Sequence, residues 1–140
     1  EAADPSGFAD GFGPLEEIVS GVGFQGAYRA ASARAARGQG ETISAAEVFA
    51  RAAAGDAIAA AVLERGVAHL LPAMANIATL LDPGLIVLGG GVSKGLASYA
   101  GRIDAYLAHM TPFPPRVVFS KLGGKAGLLG AIRLAMLQPA

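Results

Sequence analysis

Apolar residues recur with a helical period over most of the chain, and two short apolar runs interrupt that period. Leu15, Ile18 and Val19 open a first helical stretch, and a second is predicted over Phe24–Ala36 before Gly38-Gln39-Gly40 breaks it. Ser44 and Glu47 form a capping box, since hydroxyl and carboxylate can each satisfy the other residue's free N–H. That cap predicts a helix to about Ala54, stopped at Gly55. Asp56 is placed to cap the next helix, read from Ala57 to about Leu81, roughly 37 Å at 1.5 Å per residue. Val62, Val67, Leu70, Leu71, Met74, Ile77, Ala78 and Leu81 fall three and four apart in it and mark a core face. Pro72 predicts a bend there or a division into two helices.

The run Leu85-Ile86-Val87-Leu88, between the turn Asp82-Pro83-Gly84 and three glycines, reads as a strand buried on both faces. A helix is expected from about Leu96 to His109, then an extended link enforced by Pro112, Pro114 and Pro115. Arg116-Val117-Val118-Phe119 follows as a second strand, and Ala126–Leu137 as a last helix. Helix, strand, glycines, helix, strand, helix is the order of an α/β fold whose parallel strands are joined by a right-handed crossover. Residues 1–14, with Pro5, Gly7, Gly11, Gly13 and Pro14, read as a leading loop.

Composition narrows the function classes. With 140 residues the chain suits one domain of roughly 100–200 residues. Its 11 basic and 11 acidic residues cancel, which removes the long-range field expected of a nucleic-acid or acidic-membrane binder. The absence of cysteine excludes a disulfide framework, a thiolate zinc site and a cysteine nucleophile. No uninterrupted run of about 18 apolar residues occurs, because His69, Pro72 and Asn76 break the best candidate, and no secretory signal opens the chain. A cytoplasmic protein is therefore expected.

The chemistry concentrates where the first strand ends. Gly89, Gly90 and Gly91 can bring bare backbone against a ligand, and the helix beginning after Val92-Ser93-Lys94-Gly95 offers free N–H groups to an anion. Ligands of open α/β sheets bind at the carboxyl ends of parallel strands. Neither a Walker loop nor G-x-G-x-x-G is present, and glycines that merely turn the chain are the alternative. A second glycine cluster, Leu122 to Gly127, follows the other strand and should face the same sheet edge. Glu16 and Glu17 can hydrogen-bond a polyol, act as a base, or simply complement a helix dipole. Arg29, Arg34 and Arg37 read as a solvated face rather than an anion grip, and neither His69 nor His109 has partners for a triad. The stripe Ala126, Gly127, Gly130, Ala131 and Ala135 reads as close helix packing.

Leu80-Leu81-Asp82-Pro83 with Leu85-Ile86-Val87-Leu88-Gly89-Gly90-Gly91-Val92-Ser93 resembles the adenosine-side motif of the ROK family of sugar kinases and repressors. Leu122–Ala131 is similar to that family's closing segment, with Gly124 and Lys125 in place of acidic or amide residues. Gly13-Pro14-Leu15-Glu16 through Ser20-Gly21 resembles its G-C-L-E-x-x-x-S-G stretch. The resemblance implies a ribonuclease-H-like, actin-like ATPase fold. The chain would be a partial carboxy-terminal lobe, helix-rich with a few parallel strands, over residues 1–140. It further implies that Glu16 hydrogen-bonds sugar hydroxyls and that Gly89, Gly90, Gly91, Val92 and Ser93 contact the nucleotide. ATP and Mg²⁺ would serve the complete parent. No zinc is expected, because Pro14 stands where the family has a cysteine.

No phosphate loop, catalytic aspartate or E-x-G-H sugar motif is found. The resemblance thus implies a missing amino-terminal lobe and a chain inert by itself. Sugar and adenine nucleotide are the implied ligands and a homodimer the implied assembly, with no membrane or direct nucleic-acid contact. The parent would be an ATP-dependent hexose or N-acetylhexosamine kinase; a sugar-sensing repressor or a non-catalytic interaction module are the alternatives.

Overall fold

The computed structural model describes residues 13–36 and 38–137, so most of the leading loop and Arg37 lie outside the described residues. Helix α1 spans Pro14–Val19 and α2 Gly21–Ala36, with Ser20 at the corner between them. Pro14 belongs to the helix rather than to the loop, because the first helical position needs no N–H donor. Helices α3 (Ala45–Ala53) and α4 (Ala57–Leu81) form a tight pair. The Ser44 hydroxyl accepts from the Glu47 N–H at 3.1 Å, which is half of the expected capping box; the Glu47 carboxylate pairs with Arg51 rather than reaching back to the Ser44 N–H. Gly55, at φ +94°, then reverses the chain: its N–H bonds the Ala52 carbonyl and that of Asp56 the Arg51 carbonyl. The Asp56 carboxylate next accepts from the N–H groups of Ile58 and Ala59 and starts α4.

Helix α4 runs unbroken through Pro72, contrary to a division there. Pro72 and Ala68, the residue one turn before it, both lie on the exposed side. Water can hydrate the carbonyl that the proline leaves unbonded. By length and composition α4 could cross a membrane, yet Leu63, Val67, Leu70, Leu71 and Met74 are buried within the protein. It is the central core helix. Two of its predicted core residues are instead exposed, Ile77 at 43% and Leu81 at 73%.

Strands β1 (Leu85–Leu88) and β2 (Arg116–Phe119) pair in parallel, Leu85 against Arg116 and Leu88 against Phe119. Between them run α5 (Ser93–Leu96), a 3₁₀ turn (Ala97–Tyr99) and α6 (Ala100–Met110); a 3₁₀ turn (Gly123–Lys125) and α7 (Ala126–Leu137) follow β2. Ile86 and Leu88 face the core, whereas Leu85 and Val87 are 45% and 56% exposed. β1 is therefore buried on one face only, since no described element packs over the other. Helix α7 has no buried residue, so its small-residue stripe meets no partner helix among the described residues.

One core cluster joins α4 to α5, α6 and the inner sheet face through Val67, Leu71, Met74, Leu96, Ile103 and Leu107. The other joins α2, α3 and the start of α4 through Phe24, Tyr28, Val48, Ala59, Val62 and Leu63. Val19, Phe49, Val92 and Tyr99 touch both clusters and weld them together.

Candidate functional site

The parallel pairing brings Ser120, where the chain leaves β2, alongside the glycines that follow β1 at the carboxyl edge of the sheet. The ladder continues past the strands, with the Ser120 N–H bonding the Leu88 carbonyl at 2.8 Å. A Cβ built on Gly89 would lie 3.7 Å from that of Ser120. Gly89, Gly90 and Gly91 are all exposed. Side chains at Gly90 and Gly91 would meet no atom within 4 Å, so the corner is bare backbone facing open space. Gly90 has φ +89°, a conformation that requires glycine on conformational grounds alone.

Val92 and Ser93 hold this corner from beneath. The buried Ser93 hydroxyl donates to the Gly90 carbonyl at 2.8 Å, which closes the turn and leaves that side chain committed to the protein. Val92 points inward, and its Cγ1 would lie 3.8 Å from a Cβ on Gly21, at the α1–α2 corner. Helix α5 is anchored by close approach to an aromatic ring: a Cβ on Gly95 would fall 2.5 Å from Cγ of Phe49. Phe49 in turn meets Phe24 edge-on, with ring centroids 5.5 Å apart. Gly66 in α4 completes the stack, since a Cβ there would come within 2.3 Å of Phe24 Cε1. Two helical glycines thus clamp an aromatic pair that ties the glycine corner to α2 and α4.

Beside the corner opens a cleft of about 750 Å³ between α3, α4 and the 91–99 segment. Phe49, Glu64, Gly91, Val92, Lys94 and Tyr99 are among its walls. Burial, with the nearby Glu64 carboxylate adding to it, pushes the Tyr99 hydroxyl above the ordinary phenol range and keeps it a neutral donor. Arg102 of α6 pairs with Glu64 at the rim. Glu16 lies exposed on α1, whose last residue, Val19, packs on the same clusters as Val92. Glu17 faces a different cleft, between α1, α2 and α4. Arg29 and Arg34 are exposed, and His69 bonds its Nδ1 to the Arg65 carbonyl at 2.8 Å. Among the described residues no group of three or more His, Asp or Glu is placed to hold a metal ion.

A polar hub escaped the sequence reading. Arg51 grips Glu41 through two nitrogens at 2.6 and 2.7 Å, reaches Glu47 at 3.0 Å and donates to the Tyr28 hydroxyl at 3.0 Å. Tyr28 passes the link on to Asp56 at 2.8 Å, so four segments are laced together. The N–H of Ala59 and the Tyr28 hydroxyl hold the Asp56 carboxyl below its ordinary range, and Arg51 does the same to Glu41. A carboxyl depressed in the folded state contributes stability above its unfolded value and loses it as pH falls through the folded one. Urea midpoints of the chain should therefore drop on acidification. Asp56→Asn should flatten that acid limb while lowering the neutral midpoint; an unchanged limb would refute the linkage.

Helices packed on a parallel strand pair are, by likeness to solved structures, part of an actin-like ATPase architecture. The ROK family model matches residues 8–138, and the chain belongs to the ROK family. It is 36% identical over 122 residues to an N-acetyl-D-glucosamine kinase of Erwinia tasmaniensis, covering 86% of this chain and 38% of that protein. Against a bifunctional enzyme NanE/NanK of Brucella melitensis the identity is 33% over 133 residues, covering 95% of this chain and 23% of the relative. The ROK family glucokinase of Streptomyces griseus, solved with glucose and AMPPNP, superposes with a TM-score of 0.70 at 24% identity over 89% of this chain and 45% of the glucokinase. ROK hexokinase of Thermus thermophilus gives 0.62 at 26% identity, covering 86% and 39%. The chain thus spans less than half the length of these relatives.

Proposed function

We propose that this chain is the nucleotide-binding, carboxy-terminal part of an ATP-dependent hexose or N-acetylhexosamine kinase and is inactive by itself. The observation that carries the reading is the exposed Gly89–Gly91 corner, with empty space where side chains at Gly90 and Gly91 would stand. Adenosine fits against that backbone, its base directed into the adjoining cleft of about 750 Å³ with Phe49 and Tyr99 in its walls. Val92 and Ser93 serve as positioning residues beneath the nucleotide. Glu16, an exposed carboxylate, accepts hydrogen bonds from sugar hydroxyls.

ATP supplies the phosphoryl group, and Mg²⁺ neutralises its charge when bound. This chain's part is to seat the nucleoside against the bare backbone of the corner. A base for the sugar hydroxyl and an in-line acceptor geometry come from an amino-terminal lobe. That lobe would also cover Leu85, Val87 and the apolar residues of α7, which lie exposed here. The shares of 38% and 23% of the relatives' length support a longer parent of this kind. Such a kinase works in the cytoplasm, where ATP and free sugars meet, and this segment contacts neither membrane nor nucleic acid.

The test is ADP formation by the protein carrying its upstream lobe, across a panel of hexoses and N-acetylhexosamines. Sugar-stimulated turnover is expected there and none from the 140 residues alone. An upstream helix-turn-helix with no stimulated turnover would replace the kinase by a repressor.

A further inference from the structure

The cleft beside the glycine corner divides its lining by chemistry. Along α3 its wall includes Ala46, Ala50 and Ala53, four and three positions apart, which offer methyl groups and no polar side-chain atom. Such a wall suits the flat face of a ring and gives its edge nothing to bond. Polar side chains come from α4 and the segment after the corner: Glu64, Lys94, Ser98 and Tyr99. Ser98 is committed elsewhere, since its hydroxyl donates to the Gly95 carbonyl at 2.8 Å. Lys94 stands three residues beyond Gly91 and belongs to the corner. Glu64 and Tyr99 remain. Arg102 bonds Oε2 of Glu64, and Oε1 has no hydrogen-bond partner among the described residues. The Tyr99 hydroxyl has none there either, and burial, then the neighbouring Glu64 carboxylate, keeps it protonated. A charged acceptor thus stands near a neutral donor.

We propose that Glu64 and Tyr99 choose the base of the nucleotide: Glu64 Oε1 accepts from the exocyclic amine of adenine, and the Tyr99 hydroxyl donates to the bare ring nitrogen beside that amine. This rests on the nucleotide reading of the glycine corner and adds to it which base the cleft takes. Adenine carries an amine and then an unprotonated nitrogen along that edge, whereas guanine, hypoxanthine and uracil carry a carbonyl and then an N–H. The tyrosine can turn to accept from such an N–H. A carboxylate has no proton to offer a carbonyl, so Glu64 carries the discrimination. Two acceptors left facing each other reject the wrong base more firmly than a missing contact does. Glu64 is half-exposed at the rim, which holds the preference to about tenfold.

Calorimetric titration of the chain with ATP and with inosine triphosphate reads this preference, because the two differ only in that carbonyl and N–H. The wild type should bind ATP about tenfold more tightly. Glu64→Gln keeps the length of the side chain and can turn an amide N–H toward a carbonyl. The ratio should therefore fall to about one, with inosine triphosphate binding more tightly than it does to the wild type. That gain is a readout that a loosened cleft would not give. The ion pair with Arg102 is exposed on both sides, so its loss leaves the fold in place. Tyr99→Phe should weaken ATP binding about threefold and keep most of the preference. Equal affinity of the wild type for both nucleotides overturns the inference and leaves the nucleotide reading standing. So does a ratio that Glu64→Gln leaves unchanged, or one that falls through weaker ATP binding alone. Binding of neither nucleotide overturns both.

Discussion

Phe24→Ala is expected to lower the unfolding free energy by about 3–5 kcal/mol, a large part of the 5–15 kcal/mol typical of a domain. Phe24 is 1% exposed, lies edge-on to Phe49 and presses on the backbone of Gly66. Truncation removes the aromatic area and leaves a cavity where α2, α3 and α4 converge. Gly66 supplies a second leg. In the wild-type background Gly66→Ala drives a methyl into the Phe24 ring and should cost about 1–3 kcal/mol. With Phe24 already alanine the collision is gone, and the better helix former should return up to about 1 kcal/mol. Urea unfolding of the four proteins should therefore show a change of sign. Simple additivity would mean that the ring does not sit on Gly66.

Gly91→Val is expected to abolish nucleotide binding without unfolding the protein. Its side chain would project into open space, so stability should stay within about 0.5 kcal/mol of wild type. If adenosine rests on this backbone, the branched side chain occupies the nucleotide's place. A loss of 100-fold or more in ATP affinity should result, about 2.7 kcal/mol. Gly90→Val is the less informative change, because φ +89° makes any side chain strained by about 1–3 kcal/mol, and stability would fall together with affinity. Calorimetric titration with ATP, beside thermal unfolding, separates the two. Unaltered affinity in Gly91→Val would remove the nucleotide from the corner.

What the sequence disclosed was whatever the chain settles with near neighbours. Ser44 with Glu47, Gly55 with Asp56, and the glycines after Leu88 are local devices, and each stands where it was expected. The strand pair was legible for the same reason, as an apolar tetrapeptide bounded by turn residues. The burial of Leu85, Val87, Ile77 and Leu81 was not, because apolar character records what a face can bury and not whether a neighbour covers it. Helix α2 hid its role differently. Phe24 and Tyr28 carry its packing among alanines and glycines, so no strong periodicity marked them as core. Arg51 looked like any helical arginine, and only folding brings Glu41, Tyr28 and Asp56 to it. Among so many small residues, nothing distinguished Gly66 and Gly95, which must be small, from alanines that merely are.

The α3–α4 hairpin and the parallel strand pair differ in how far along the chain they must reach. The hairpin closes over three residues, Ala54 to Asp56, and its caps need no distant partner. Leu85 must find Arg116, 31 positions later, before the ladder can form (116 − 85 = 31). Loop closure is unfavourable until such pairing completes, so the helical hairpin should organise early and the strand edge late. The ligand edge would then be among the last regions to become ordered and among the first to open. A nucleotide bound there would act as a latch, slowing hydrogen exchange at 85–88 and 116–119 more than in the centre of α4.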